Sequence, residues 1–149
     1  MSNPLNDVLA GAMRLLAIRE HSQHELRRKL KQKGHEPEQI EQAIEQMVEQ
    51  RLQSDERYIE SFINSHRERG QGPKRIRMEL QQHQLNSELI EAYLDERSPI
   101  WRQNAAQVRI KKYGHEMPED FKERIKQTRF LEYRGFDSEQ IRYIFNELD

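Results

Sequence analysis

Apolar residues recur along this chain at intervals of three and four, the spacing that places side chains on one face of an α-helix. After Pro37, for example, Ile40, Ala43, Ile44 and Met47 form such a stripe. No segment shows the alternation of apolar and polar residues that is typical of a half-buried strand. The pattern therefore predicts an all-α protein.

Other segments show stripes of the same kind. We expect two further buried faces, formed by Leu9, Met13, Leu16 and Ala17 and by Tyr58, Ile59, Phe62 and Ile63. In the last third of the chain we expect Phe130, Leu131 and Phe136 to be buried.

Capping residues divide the pattern into short helices. Ser22 and Glu25 have the spacing of a capping box. Gly34 can close the following helix in the left-handed conformation, and Pro37 suits the first position of the next one. Further predicted boundaries are a start at Ser54 or Asp55, a break at Gly70 to Gly72 with a restart at Pro73, a start at Ser98 and Pro99, an end at Gly114, a start at Pro118, and a capping box from Asp137 to Gln140.

The apolar pattern repeats with a period of about fifty residues. Four pairs coincide in the first two copies: Leu26 with Ile76, Leu30 with Leu80, Ile40 with Ile90, and Ile44 with Leu94. In a third copy Leu131, Gly135, Ile141 and Phe145 take the places of Leu30, Gly34, Ile40 and Ile44. We predict three tandem three-helix units, at residues 7–50, 51–97 and 98–149. One such unit buries too little apolar surface to be stable alone, so we expect an elongated array.

Gly70-Gln71-Gly72-Pro73 occupies the place of the turn at His21 and Ser22 in the first unit. We therefore predict a turn between two helices. A phosphate-binding P-loop would need a preceding strand and a Gly-Lys-Ser/Thr sequence, and neither is present.

Composition limits the size of the core and indicates the cellular compartment. Charged residues make up 34% of the chain and hydrophobic residues 34%, so any core must be thin and spread along the array. No stretch approaches the ~20 apolar residues of a membrane span, and the N-terminal sequence lacks the features of a signal peptide. Cysteine is absent, which excludes disulfides and thiolate metal sites. We expect a cytoplasmic protein with no membrane contact.

The formal net charge is only −1, but charge alternates in blocks along the chain. Residues 19–33 are mainly basic, residues 36–60 mainly acidic, and residues 67–77 basic again. We predict that acidic and basic side chains occupy separate faces of the array.

Catalytic and metal-binding interpretations are weak. His21 and His24 lie beside Glu20 and Glu25, but they need not share a helix face and no further ligand is specified, so a solvated helix start is favoured. Acidic pairs along the third helix, such as those that involve Glu41, lie opposite an apolar stripe and are interpreted as solvated surface. We assign no catalytic residue, no metal and no cofactor. An enzyme would need a convergent polar pocket that the sequence does not indicate.

Basic helices are the stronger candidate site. Lys74 and Arg75 near a helix start oppose the helix dipole, a local cost that an anionic partner would offset. A solvated helix face and a partner surface both remain possible for such residues. In the third unit, cations interleave with Tyr113 and Tyr133, which could stack bases but more often belong to a core or its rim. The candidate partner-binding or DNA-binding residues are Arg27, Arg28, Lys31, Arg67, Arg69, Lys74, Arg75, Arg77, Arg109, Lys111, Lys112, Arg129 and Arg134.

Four blocks in order resemble the RecX family, bacterial regulators of the recombinase RecA. They are REHSQHELRRKL (residues 19–30), DERYIESF with GQGPKRIRMEL (55–80), WRQNAAQVRIKKYG (101–114) and RFLEYRGFDSEQI (129–141). The family usually has Gly-Leu/Tyr-Leu-Asp-Asp where this chain reads Arg51-Leu52-Gln53-Ser54-Asp55, often tyrosine in place of Gln71, and commonly arginine in place of His66.

The resemblance implies tandem three-helix repeats and a non-enzymatic regulator in recombination, DNA repair and the SOS response. It implies a monomer that lies along the groove of the RecA filament on single-stranded DNA. There it would mainly inhibit filament growth, ATP hydrolysis and strand exchange, with weak direct DNA contact at most. The alternative is a stand-alone DNA-binding protein whose basic helices grip phosphates directly.

Overall fold

The computed structural model describes residues 3–145, and within that range it contains nine α-helices and no strand. The helices are α1 (Pro4–Ile18), α2 (Gln23–Gln32), α3 (Pro37–Glu49), α4 (Asp55–Glu68), α5 (Pro73–Gln82), α6 (Ser87–Tyr93), α7 (Ile100–Tyr113), α8 (Phe121–Arg134) and α9 (Ser138–Ile144). They form three consecutive triplets, called here repeat 1 (α1–α3), repeat 2 (α4–α6) and repeat 3 (α7–α9). The predicted unit limit at residue 149 lies outside the described residues.

Each triplet packs mainly on itself, as the periodicity predicts. The buried apolar residues nevertheless form two clusters rather than three. One cluster contains residues of repeat 1 alone, from Val8 to Met47. The other runs continuously through repeats 2 and 3, from Tyr58 to Ile144. The predicted all-α array of tandem three-helix repeats is confirmed, and its second and third members share a core.

The accessible surface is large for the mass of the chain. It measures 10058 Å², whereas a globular monomer of 18.0 kDa is expected to expose roughly 8,000 Å². An array of stacked repeats has this excess because each unit contacts only its neighbours.

The repeat period holds at the level of individual residues. Leu26, Ile76, Leu30 and Leu80 are all completely buried, in pairs fifty residues apart. The residue that closes the second helix of each repeat has a positive φ: 92° at Gly34, 57° at Gln84 and 105° at Gly135. Gln84 shows that the period imposes the left-handed turn even where glycine is absent.

The predicted stripe on α1 was partly wrong. Met13 is 51% exposed and Ala17 is exposed, whereas Val8 and Ala12 are completely buried. The helix begins at Pro4, and its buried residues are Val8, Gly11 and Ala12, one position out of phase with the predicted stripe. The predicted Leu9 and Leu16 are half-buried and pack against the same core. In α4, Tyr58, Ile59 and Ile63 are buried as predicted, and Phe62 is half-buried.

Most predicted helix boundaries are confirmed, with three exceptions. Ser22 caps α2, but the Glu25 carboxylate binds Arg19 rather than completing a capping box. Helix α7 begins at Ile100, one residue beyond Pro99. Helix α8 begins at Phe121 and not at Pro118, because the side chain of Asp120 accepts a hydrogen bond from the Glu123 amide and caps the helix there. The full capping box from Asp137 to Gln140 is present.

Within residues 3–145, no helix combines the length and the apolar composition that a membrane crossing requires.

A candidate anion-binding cleft

The turn between α4 and α5 joins repeat 2 to repeat 3. The Gly72 amide donates to the Arg134 carbonyl oxygen over 2.7 Å, and the Lys74 amide donates to the Gly135 carbonyl oxygen over 3.1 Å. The C-terminus of α8 therefore caps the N-terminus of α5, where amides lack partners within their own helix. The negative end of one helix dipole also meets the positive end of another, which offsets the cost of placing Lys74 and Arg75 there.

This contact requires glycine. A Cβ atom on Gly72 would lie 2.4 Å from the Gly135 carbonyl carbon, and one on Gly135 would lie 2.5 Å from the Arg75 Cβ. The Gly70-Gln71-Gly72-Pro73 turn is thus an inter-helix turn, as predicted, and it is also the surface on which repeat 3 docks.

Beside this contact, the end of α4 faces α7 and α8 across an open cleft of about 390 Å³. Its lining includes two cations of repeat 2 and three of repeat 3. We call this site the basic cleft and define it by Arg67, Arg69, Lys111, Lys112 and Arg134. All five residues were predicted candidates, and the fold brings together residues that are as far as 67 positions apart in the sequence.

The cations of the basic cleft have no carboxylate partner among the described residues. None of the five lies within 4.0 Å of an Asp or Glu oxygen, although Glu68 also borders the cleft. Elsewhere some basic side chains pair with acidic ones, as Arg27 does with Glu41. Clustered cations with no counter-charge repel one another, so an anion in the cleft would relieve this repulsion.

Neighbouring groups hold the cleft cations in place. Arg134 donates to the Arg69 carbonyl oxygen over 3.1 Å. The Phe130 ring lies 5.2 Å from the Arg134 guanidinium carbon and 4.6 Å from the Lys112 ammonium nitrogen. These cation–π contacts orient both side chains before any ligand arrives.

Two further polar side chains border the same cleft, Asn104 and Gln107. The Asn104 amide nitrogen is buried and has no hydrogen-bond acceptor within the described part of the chain. This nitrogen is enclosed, so the donors that face the cleft are those of the five cations. The site therefore offers charge and hydrogen-bond donors to an oxyanion such as a phosphate. Sequence reasoning missed Asn104 because a single amide on a helix carries no recognisable pattern.

The rings near the basic cleft are poorly placed to stack bases. Phe130 is engaged by cations and meets Tyr113 edge-on at 5.6 Å between ring centroids. Tyr133 is 74% exposed, but it lies in a separate groove, where the Arg75 guanidinium sits 5.3 Å from its ring.

The other candidate cations are dispersed. Three of them form ion pairs within their own repeat, namely Arg27 with Glu41 at 2.7 Å, Arg75 with Glu79 at 3.3 Å and Arg77 with Glu96 at 2.9 Å. The predicted separation of acidic and basic faces is thus incomplete, because basic α2 and acidic α3 meet through Arg27 and Glu41. Four remain exposed outside the cleft: Arg28, Lys31, Lys74 and Arg129.

The proposed contact role of Arg109 is corrected by the structure. Arg109 is 1% exposed and follows Trp101 and Ala105 on the buried face of α7. Its guanidinium donates to Gln127 and to the carbonyl oxygens of His115 and Glu116. It holds the turn after α7 and offers nothing to a partner.

The interpretation of His21 as part of a solvated helix start was also wrong. The residue is 1% exposed, with Nδ1 3.0 Å from the Arg19 carbonyl oxygen and Nε2 3.0 Å from the Lys29 ammonium. Burial lowers its pKa below the ordinary histidine value. The backbone hydrogen bond and Glu25 oppose this shift, whereas the Arg19 and Lys29 charges add to it. The neutral ring donates from Nδ1 and accepts from Lys29.

Fold and cleft together define a tandem three-helix repeat protein with an unneutralised basic site where two repeats meet. Three family models match in order: the first three-helix domain of RecX at residues 10–47, the second at 54–94 and the third at 102–145. The chain belongs to the RecX family of regulatory proteins.

Curated RecX proteins are similar in sequence to this chain over nearly its whole length. Regulatory protein RecX of Pseudomonas fluorescens strain SBW25 is 44% identical over 138 residues, which cover 93% of this chain and 89% of that protein. Regulatory protein RecX of Yersinia enterocolitica is 37% identical, with 96% and 98% covered. The crystal structure of RecX from Lactobacillus salivarius superposes with a TM-score of 0.82 at 19% identity and covers 100% of this chain and 99% of that one. At that identity it supports the fold alone.

Proposed function

We propose that this protein regulates the recombinase RecA by binding along the groove of the RecA filament on DNA. The observation that carries the proposal is the basic cleft, in which five cations lack a carboxylate partner among the described residues. Such a site matches DNA phosphate or an acidic protein surface. The RecX membership of the chain supplies the expectation that the partner is RecA.

Shape and charge would carry the mechanism. An array with two separate apolar cores can span neighbouring protomers, and several modest contacts on one chain add avidity that a single repeat lacks. Occupation of the groove would hinder filament growth and the movements that ATP hydrolysis and strand exchange require. In this proposal the protein acts as a cytoplasmic monomer and has no catalytic role.

The direct test is to titrate the protein into RecA with single-stranded DNA and ATP. We expect slower ATP hydrolysis and shorter filaments as the protein is added. Unchanged hydrolysis together with unchanged filament length at saturating amounts would exclude the proposal.

A second candidate function is direct binding to DNA without RecA. The same cleft favours it, because clustered cations attract any phosphate backbone. It predicts binding to naked single-stranded DNA that weakens steeply with salt, by about one unit of log–log slope for each phosphate contacted. If binding to the filament is tight where binding to naked DNA is negligible, RecA supplies part of the contact surface and the second candidate fails.

A further inference from the structure

The two junctions of the array differ in kind. Repeats 2 and 3 share one apolar cluster and are joined by the backbone hydrogen bonds of Gly72 and Lys74. Between residues 3–53 and residues 54–145 there is no backbone–backbone hydrogen bond. No described residue of repeat 1 belongs to the cluster of repeats 2 and 3.

Polar contacts that each involve at least one side chain connect repeat 1 to repeat 2. The Gln53 side-chain amide donates to the His21 carbonyl oxygen over 3.1 Å, and the Gln23 backbone amide donates to the Asp55 carboxylate over 3.0 Å. Arg57 pairs with Glu20 at 3.0 Å in a partly solvated position. We call these three contacts the polar latch. Its ion pair is open to screening by salt.

The latch is imperfectly packed. Gln53 is 2% exposed, yet its side-chain oxygen has no donor within the described range. Beside it lies an open cleft of about 440 Å³, into which Val48 of α3 and Leu89 of α6 both face without closing it. Val48 remains 41% exposed there. The apolar side chains Val48 and Leu89 therefore do not seal this junction against water.

The linker has the geometry of a pivot. Helix α3 ends at Glu49 and α4 begins at Asp55, so only residues 50–54 lie between the two rigid bodies. Arg51 has a φ of 61°, in the left-handed region that non-glycine residues rarely occupy. The backbone amides of Arg51, Leu52 and Gln53 donate to carbonyl oxygens at the end of α3, so this turn moves with repeat 1 and the pivot lies between residues 53 and 54.

We propose that this junction is the hinge of the molecule: when the polar latch opens, repeat 1 swings as one body about the link between residues 53 and 54, whereas repeats 2 and 3 move together as a second, rigid body. The hinge is independent of the identity of the partner. Its consequence is that the exposed cations of α2, Arg28 and Lys31, change their distance from the basic cleft as the latch opens. A surface with two adjustable halves can adapt to a partner whose repeat distance changes.

The chain is suited to a direct test because it contains no cysteine. Cysteine pairs for spin labels can be placed at exposed helical positions: Gln42→Cys with Glu60→Cys across the first junction, and Glu60→Cys with Lys122→Cys across the second. Pulsed electron spin resonance on the full chain then gives both distance distributions. We expect a broad or two-component distribution for the first pair and a narrow one for the second. Equally narrow distributions for both pairs would overturn the proposal.

A latch variant sharpens the test. Glu20→Ala with Arg57→Ala should at least double the width of the first distribution, or the share of its longer component, and leave the second unchanged. Raising the salt concentration should act in the same direction on the unmutated latch. Lys33→Ala with Glu49→Ala removes one charge of each sign from exposed positions outside any ion pair of the described residues and should alter neither distribution. If the latch variant and this control behave alike, the latch does not hold the junction.

Discussion

The amide of Gly72 and the carbonyl oxygen of Arg134 lie 2.7 Å apart, although 62 positions separate them in the chain. This hydrogen bond joins the N-terminus of α5 to the C-terminus of α8 and sets the distance between repeats 2 and 3. The same turn carries Arg69, and the same helix end carries Arg134, so the bond also positions the basic cleft.

Adding one methyl group at Gly72 should therefore destabilise the protein. In Gly72→Ala the new Cβ would meet backbone atoms of Gly135 at 2.4 and 2.5 Å, and backbone yields less readily than a side chain. We expect the free energy of unfolding to fall by about 1–3 kcal/mol, measured by urea denaturation.

Gly11→Ala is the matched control, since it also adds one methyl to a buried glycine. There the nearest atom would be the Leu30 Cδ2 at 3.4 Å, and the position is inside α1. Because alanine favours the helix, we expect no loss and up to about 1 kcal/mol of gain. Equal effects of the two substitutions would show that the Gly72 contact is not tight.

Charge reversal in the basic cleft should weaken partner binding. Arg67→Glu, Arg69→Glu and Lys111→Glu together break no ion pair among the described residues, so helix content should be unchanged. We expect weaker inhibition of RecA ATP hydrolysis and a flatter salt dependence of binding, by up to about one log–log unit for each phosphate that the cleft no longer binds.

The control for this variant reverses three exposed lysines outside the cleft, Lys33→Glu, Lys122→Glu and Lys126→Glu, with the same change in net charge. It should retain most of the inhibition. Reversal of Arg75 and Arg77 is less informative, because it would place carboxylates beside Glu79 and Glu96 and disturb repeat 2 itself. Equal losses in the cleft variant and its control would mean that net charge, not the cleft, governs binding.

Acid should destabilise the protein partly through His21. Its pKa is lower in the folded chain than the ordinary value of about 6.5, so the unfolded chain binds this proton more readily. The contribution to stability is therefore intact above that ordinary value and is lost as the pH falls toward the folded pKa. Once protonated, Nε2 of His21 could no longer accept the hydrogen bond from Lys29.

The readout is the free energy of unfolding between about pH 7.5 and pH 5. We expect His21→Gln to show a smaller loss over this range than the unsubstituted protein. His83→Gln, at an exposed position, serves as the comparison for loss of one histidine. If the free energy of unfolding of His21→Gln falls with pH in parallel with that of the unsubstituted protein, the acid sensitivity does not come from His21.

Arg109 should matter for stability and not for partner binding. In Arg109→Met the buried hydrogen bonds to Gln127, His115 and Glu116 are lost, but a buried charge is removed as well. We expect a loss of up to about 2 kcal/mol in the free energy of unfolding. Inhibition of RecA at a temperature where the variant is folded should be unchanged. A salt dependence of binding altered as in the cleft variant would show that Arg109 reaches the partner.

The fold was largely predictable because its determinants are local. Helix caps such as Ser54 and Asp137 act on amides a few residues away. Apolar residues at a fixed offset, such as Leu30 and Leu80, show where each repeat buries its helices. Errors arose where two local signals competed, as at Pro118 and Asp120, because proline and aspartate both begin helices. Arg51 holds a positive φ, which no local preference of arginine would indicate.

The sequence could predict individual residues of the candidate site, but not that they lie close together. Sequence reasoning could select Arg67 and Lys112 as cations, but their proximity depends on how repeat 3 docks on the Gly72 turn. It also could not exclude Arg109, since burial of a charged residue depends on carbonyl groups that the fold brings near.

Imaging the protein on a RecA filament assembled with single-stranded DNA and ATP tests the central claim most directly. The account predicts density for the three repeats along the filament groove, with the basic cleft turned toward DNA phosphate or an acidic surface of RecA. Density in which the cleft faces solvent, or a filament that carries no bound protein at saturating amounts, would contradict it.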